Sequence, residues 1–128
     1  ITHVACLESR GFSFGAILVF GLKRPLIPIR KPGKLAGPVV VIDYEKEYGK
    51  DMLAVQAGSF GRGDKVLIHD DLLATGGSAV AAARLVQKLG AEVIGFSFIM
   101  ELEELKGRAK LFEFSNHICS VVSFGPGE

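Results

Sequence analysis

Short apolar runs alternate with amphipathic stretches along the chain, and glycine-rich segments punctuate them. Residues 4–7 predict a buried strand, residues 12–22 an apolar helix, and residues 26–30 a return to strand. A turn-rich link over 33–37 leads to a β-branched strand at 39–42, and the alternation at 52–56 predicts its antiparallel partner. The polar stretch between them, 43–51, is expected to be a mobile loop. Beyond the punctuation at 58–63, a core strand at 65–69 precedes a helix over 77–89 that Gly90 ends. Residues 92–100 predict another buried strand, 103–111 a short amphipathic helix, and 118–124 a last strand. Such alternation predicts an α/β protein: a mainly parallel, twisted sheet with helices on both faces, whose ligands sit beyond the carboxyl ends of the strands.

The densest chemistry lies at one of these strand ends, in Val66-Leu67-Ile68-His69-Asp70-Asp71-Leu72-Leu73-Ala74-Thr75-Gly76-Gly77-Ser78. A helix start leaves backbone N–H groups unpaired and presents partial positive charge, which suits phosphate. Gly76 and Gly77 allow an anion close to the backbone, and the hydroxyls of Thr75 and Ser78 can donate to its oxygens. Asp70 and Asp71 are acceptors suited to a diol or to the hydration shell of Mg²⁺. The run reads as a sugar-phosphate cradle.

Composition narrows the alternatives. A length of 128 residues suits one domain, and a net charge of +1 gives no general attraction to nucleic acid or to an anionic membrane. No apolar run approaches the ~20 residues that cross a bilayer. The two cysteines, Cys6 and Cys119, have neither disulfide density nor metal-ligand spacing and read as buried thiols of a cytoplasmic protein. His3, His69 and His117 also lack ligand spacing, and His69 has no functional reading. The chain opens directly in an apolar strand, without Met or a leader, and is therefore expected to be incomplete.

The Asp-Asp followed by Thr-Gly-Gly-Ser resembles the signature of the type I phosphoribosyltransferases, and the wording Asp-Asp-Leu-Leu-Ala-Thr-Gly-Gly is similar to that of the members acting on adenine. The resemblance continues through Glu8-Ser9-Arg10-Gly11-Phe12, Ile29-Arg30-Lys31-Pro32-Gly33-Lys34-Leu35, Glu47-Tyr48-Gly49-Lys50, Glu101-Leu102 and Leu105-Lys106-Gly107-Arg108. It implies a type I fold in residues 1–128 with a mobile antiparallel hairpin, but without the N-terminal hood that covers the base in relatives. It also implies transfer of 5-phosphoribosyl from 5-phosphoribosyl-1-pyrophosphate to adenine, giving AMP and pyrophosphate in purine salvage. Asp70, Asp71, Ala74, Thr75, Gly76, Gly77 and Ser78 would then hold ribose and its 5′-phosphate. Ser9, Arg10, Arg30, Lys31 and Lys34 would hold pyrophosphate, with a cis peptide between Glu8 and Ser9. Glu8 stands where relatives commonly have Asp. Glu47 would be the catalytic carboxylate of a lid, Tyr48 would cover the ligand, and Leu102 would pack on the base. Mg²⁺ is the implied cofactor, held mainly by substrate and water, and a homodimer is the implied assembly. Two alternatives remain open: transfer to another purine, and a module that binds phosphoribosyl pyrophosphate without turnover.

Overall fold

In the computed structural model, residues 1–46 and 48–127 are described. The first strand, β1 (His3–Leu7), is an apolar run buried on both faces from Val4 onward, as a central strand of a parallel sheet requires. It pairs in parallel with β2 (Leu26–Ile29) on one side and β5 (Lys65–Leu73) on the other. The sheet continues through β6 (Glu92–Leu102) to β7 (Ile118–Phe124), giving the order β2-β1-β5-β6-β7. All four pairings are parallel.

Between β2 and β5 the chain forms an antiparallel hairpin, β3 (Val39–Lys46) and β4 (Gly49–Gln56). It joins the main sheet through one bridge, with Arg30 N–H to Ala54 O at 3.0 Å and Ala54 N–H to Arg30 O at 2.7 Å. The ladder runs from Val39 opposite Gln56 to Lys46 opposite Gly49, so most of the segment expected as a loop is strand. Backbone pairing is indifferent to side-chain polarity, and the sequence pattern registers only the apolar half of the hairpin. The same reason carries β5 past its apolar part: Asp70 pairs with Phe98 and Leu73 with Glu101. The acidic pair thus lies within the strand, Asp70 three residues and Asp71 two residues before its end at Leu73.

Helix α1 (Arg10–Leu22) lies over β1, β2 and β5, and its buried residues are Gly11 and Gly15. A Cβ at Gly15 would stand 2.5 Å from Cys6 Sγ and 3.6 Å from His69 Cδ2, so the missing side chain is what admits these two groups. Gly15→Ala is expected to overpack this contact at a cost of about 2 kcal/mol. Thermal unfolding should show it as a fall of about 5–8 °C in Tm; an unchanged Tm would contradict the packing.

On the opposite face α2 (Gly77–Lys88) buries Ala79, Ala81, Ala82, Ala83, Leu85 and Val86 against β5, β6 and the hairpin. Here lies the core, with Ile68, Leu73, Phe96 and Phe98 almost fully enclosed. Coverage of both faces is only partial: beside α1, a cleft of about 880 Å³ is lined by Leu18, Leu22, Leu67, Ile94 and Cys119 among others. Cys119 is accordingly exposed rather than buried, while Cys6 is fully buried and both thiols are free. The helix expected over 103–111 is split into a 3-10 turn (Glu103–Leu105) and α3 (Gly107–Leu111), with Lys106 between them at φ 55°.

Candidate active site

Because all five strands of the main sheet run the same way, the segments after β1, β2, β5 and β6 meet at one edge. Asp70, Asp71, the turn 74–76 and the first residues of α2 enclose a cavity of about 200 Å³ that Arg10 also lines. Neither α1 nor α2 has an acidic residue in its first turn or a side-chain cap, so the leading amides of both helices keep their capacity for an anion. The structure therefore brings Arg10, Asp70, Asp71, Ala74, Thr75, Gly76, Gly77 and Ser78 into one wall-to-wall arrangement, with carboxylates facing a helix start. The Glu8–Ser9 peptide is cis, and Ser9 is the residue capping α1.

Electrostatics separate the two aspartates. Burial raises the Asp70 carboxyl to about 7, and the neighbouring Asp71 charge adds to the rise against the Asp71 N–H, which donates to Asp70 Oδ1 at 2.8 Å. Asp71 instead receives Arg10 Nε at 2.9 Å. The Arg10 side chain is 74 % exposed, so this pair is weak and open to exchange for another anion.

The basic loop after β2 is organised by Glu8. Its carboxylate accepts the Lys31 N–H at 2.5 Å and lies 3.6 Å from Arg30 Nη2 and 3.7 Å from Lys34 Nζ. Arg30 also stacks over Phe12, with 5.8 Å from guanidinium carbon to ring centre. Lys31 Nζ turns to the hairpin, 2.9 Å from Asp51 Oδ2, where Lys46 Nζ also binds at 2.5 Å. These contacts hold Asp51 far below the usual carboxylate range, the Lys46 and Lys31 bonds being the chief causes.

A second cleft of about 770 Å³ lies between the hairpin and the phosphate turn, lined by Tyr44, Tyr48, Thr75, Ser78, Leu105 and Lys110 among others. Tyr48 thus shares this cleft with Thr75, Gly77 and Ser78. Leu102 is half-buried at the end of β6 opposite Phe124 and lines neither cavity, whereas Leu105 and Lys110 line the cleft beside the hairpin. Glu47 lies outside the described residues. Asp51 and Lys110 carry no signal in the sequence because each reads as an ordinary solvated or amphipathic position, and Leu105 lies in a matching segment without an assigned role; the strand register that opposes Asp51 to Tyr44 supplies the missing information.

His69, unassigned from sequence, is buried beneath α1 with Nδ1 3.2 Å from Ser97 Oγ, while Nε2 has no partner among the described residues. Burial lowers its pKa, favouring the neutral ring. It fills the space that Gly15 leaves and stays outside the cradle.

A strand-borne acidic pair, a glycine turn opening a helix and a second helix start with a cis peptide meet at one parallel-sheet edge, and the family model for the phosphoribosyl transferase domain matches residues 1–123. The chain belongs to the phosphoribosyltransferase family. Within it, the chain is 55% identical over 111 residues to adenine phosphoribosyltransferase of Thermosynechococcus vestitus, covering 87% of this chain and 65% of that relative. The crystal structure of adenine phosphoribosyltransferase from Thermoanaerobacter pseudethanolicus superposes with a TM-score of 0.91 at 43% identity, over 96% of this chain and 70% of that one. The Saccharomyces cerevisiae enzyme, solved with an imino-altritol bisphosphate and adenine, gives a TM-score of 0.87 at 44% identity, over 94% and 67%. The chain spans somewhat less than two thirds of the length of the first curated relatives it matches.

Proposed function

We propose that this chain carries the phosphoribosyl-transfer machinery of an adenine phosphoribosyltransferase, moving 5-phosphoribosyl from 5-phosphoribosyl-1-pyrophosphate to adenine and releasing AMP and pyrophosphate. The observation that carries this reading is the cavity in which Asp70 and Asp71 face the start of α2. Adenine as acceptor is supported by relatives of that name and by the adenine bound in the yeast enzyme.

In this reading the amides and hydroxyls of residues 74–78 anchor the 5′-phosphate, which fixes the sugar. Asp70 and Asp71 accept hydrogen bonds from its hydroxyls and place negative charge beside the anomeric carbon. As the bond to pyrophosphate breaks and the bond to a ring nitrogen of adenine forms, that carbon passes through an oxocarbenium-like state. Fixed carboxylates stabilise it without reorganising. Ser9, Arg10, Arg30, Lys31 and Lys34 receive the departing pyrophosphate, Arg10 by exchanging Asp71 for a phosphate oxygen. The base loses its ring proton, a step in which Glu47 is the proposed participant. Tyr48, 94% exposed on the hairpin and lining the cleft beside Thr75 and Ser78, is proposed to cover the ligand, and Leu102 to touch the base.

Two adjacent carboxylates beside an anion cradle fit a hard divalent cation, and no cluster of three or more His, Cys, Asp or Glu that could cage one occurs among the described residues. That donor set suits Mg²⁺ held mainly by substrate and water, with Asp70 and Asp71 as protein neighbours. When bound, the ion neutralises charge on the leaving pyrophosphate. A homodimer belongs to the same proposal: α1 exposes Phe14, Ile17 and Phe20, the last 86% accessible, an apolar face suited to a second copy. The free thiols suit a reducing, cytoplasmic setting.

The test incubates the protein with phosphoribosyl pyrophosphate, Mg²⁺ and each purine in turn. AMP from adenine is expected, with no nucleotide from guanine, hypoxanthine or xanthine. Binding of the sugar donor without nucleotide from any base would identify a non-catalytic module instead. Asp70→Asn with Asp71→Asn should lower kcat/KM by about 10- to 100-fold, the worth of charged hydrogen bonds. Since the free protein holds a proton on Asp70 up to about pH 7 and the hydroxyls of ribose favour the ionised form, donor affinity should rise with pH through that value. Asp70→Asn should flatten this rise relative to the wild type.

A further inference from the structure

Side chains of the hairpin and the basic loop meet at the Asp51 carboxylate. Asp51 Oδ2 lies 2.9 Å from Lys31 Nζ, 2.5 Å from Lys46 Nζ and 3.5 Å from Tyr44 OH, while Asp51 Oδ1 accepts the Met52 N–H at 2.8 Å. Lys31 belongs to the loop after β2, whereas Asp51, Lys46 and Tyr44 belong to the hairpin. The tie stands three residues from the backbone bridge between Arg30 and Ala54, so one staple combines a ladder contact with an ion pair. Two ammonium groups share one carboxylate, and the pair is short of negative charge.

We propose that Asp51 is a positioning residue: it is the internal counter-ion of Lys31, holding the hairpin to the basic loop until a pyrophosphate group takes its place. The proposal rests on the reading of Lys31 as a pyrophosphate ligand. An anion that binds Lys31 must compete with Asp51, and by linkage its binding frees the hairpin from that anchor. The competition is mild, because the Lys31 side chain is 51% exposed and such pairs are screened. A strong internal pair would block the site; a weak one tunes it.

The probe is inorganic pyrophosphate with Mg²⁺, titrated into the full chain at low salt. Asp51→Asn keeps the shape of the side chain and removes its charge, and should tighten pyrophosphate binding by roughly two- to fivefold, the span of exposed ion pairs. Asp43→Asn, which removes the same charge from an exposed position of β3, should leave the affinity unchanged. Lys31→Ala should weaken binding. In the wild type, hydrogen exchange of amides at residues 44–46 and 50–52 should quicken when pyrophosphate is added; in Asp51→Asn it should already be fast and should not respond. Tightening by both Asp variants alike would reduce the effect to net charge and overturn the proposal. Unchanged binding in Asp51→Asn beside weakened binding in Lys31→Ala would overturn the counter-ion and leave the site reading intact. No effect of Lys31→Ala would sink both.

Discussion

Gly107→Ala is expected to cost about 100-fold in kcat/KM for phosphoribosyl pyrophosphate while leaving the sheet folded. A Cβ at Gly107 would come into hard contact with Ala74 O, would stand 2.9 Å from Leu73 Cδ1, and would be 3.1 Å from Gly76 N. Two of these neighbours are backbone atoms of the phosphate turn, which cannot swing aside as a side-chain end can. The turn itself is inflexible at this point: Gly76 has φ +90°, and a Cβ there would stand 2.9 Å from Gly107 O. The two glycines are thus mutually required, one opening α3 and the other preceding α2. Adding a methyl to either must move the amides to which the proposed function gives the 5′-phosphate, and a displacement of about 1 Å is worth about two orders of magnitude in rate. Steady-state kinetics with varied donor, together with a melting curve, separates this from simple unfolding. A kcat/KM within threefold of the wild type would show that the turn is not buttressed by α3.

How much of this was legible beforehand depends on what each feature asks of the sequence. The pattern of apolar positions gives 118–124 as β7 (Ile118–Phe124) and overshoots the helix α2 (Gly77–Lys88) by one at 77–89, but it ends β5 and β6 at 69 and 100, short of Leu73 and Leu102. That Asp70 to Ser78 line one cavity is legible because they are contiguous, a strand end running into a helix start. Features made by pairing were not. The outer half of the hairpin, Asp43 to Lys46 against Gly49 to Met52, carries polar side chains on a paired backbone, and a pattern of hydrophobicity does not register hydrogen bonds. Nor does it register that Gly11 and Gly15 face Asp70, Cys6 and His69 across a helix-sheet contact. The glycine at 107 was the available warning that the amphipathic segment 103–111 is not one helix. Its reason, a close approach to the phosphate turn, exists only in three dimensions.

Removing Arg108 is expected to be the most destabilising single change at the base of this buttress. Glu101 is 5% exposed, and Arg108 grips it with two nitrogens, Nη2 to Oε1 at 2.7 Å and Nε to Oε2 at 3.2 Å. Ser120 Oγ donates to the same Oε1 at 3.0 Å, and Arg108 Nη1 donates to Ile118 O at 2.8 Å. The guanidinium thereby joins β6 to β7 and fixes the start of α3 next to Gly107. Its pairing, chiefly the Arg108 hydrogen bonds, holds the Glu101 carboxyl below the usual glutamate range. Arg108→Ala leaves a nearly buried carboxylate with one hydroxyl donor, and an unpaired buried charge costs about 3 kcal/mol or more. For a chain of this size that corresponds to a fall of about 10 °C in Tm. The pH dependence follows from the sign of the shift. A depressed carboxyl contributes stability above its unfolded value of about 4.3 and loses it as the pH drops through the lower folded value. The gap between wild type and Arg108→Ala should therefore be full near pH 7 and should narrow as the pH falls, first where the stranded carboxyl of the variant, pushed up by burial, takes a proton above the ordinary value of about 4.3, and then below it as the wild-type Glu101 is itself protonated. Combining Arg108→Met with Glu101→Gln removes both charges and should recover most of the lost stability at neutral pH. A single variant that melts within 1 °C of the wild type at pH 7 would mean that Glu101 finds solvent or another cation, and that the β6–α3 corner is held by packing alone.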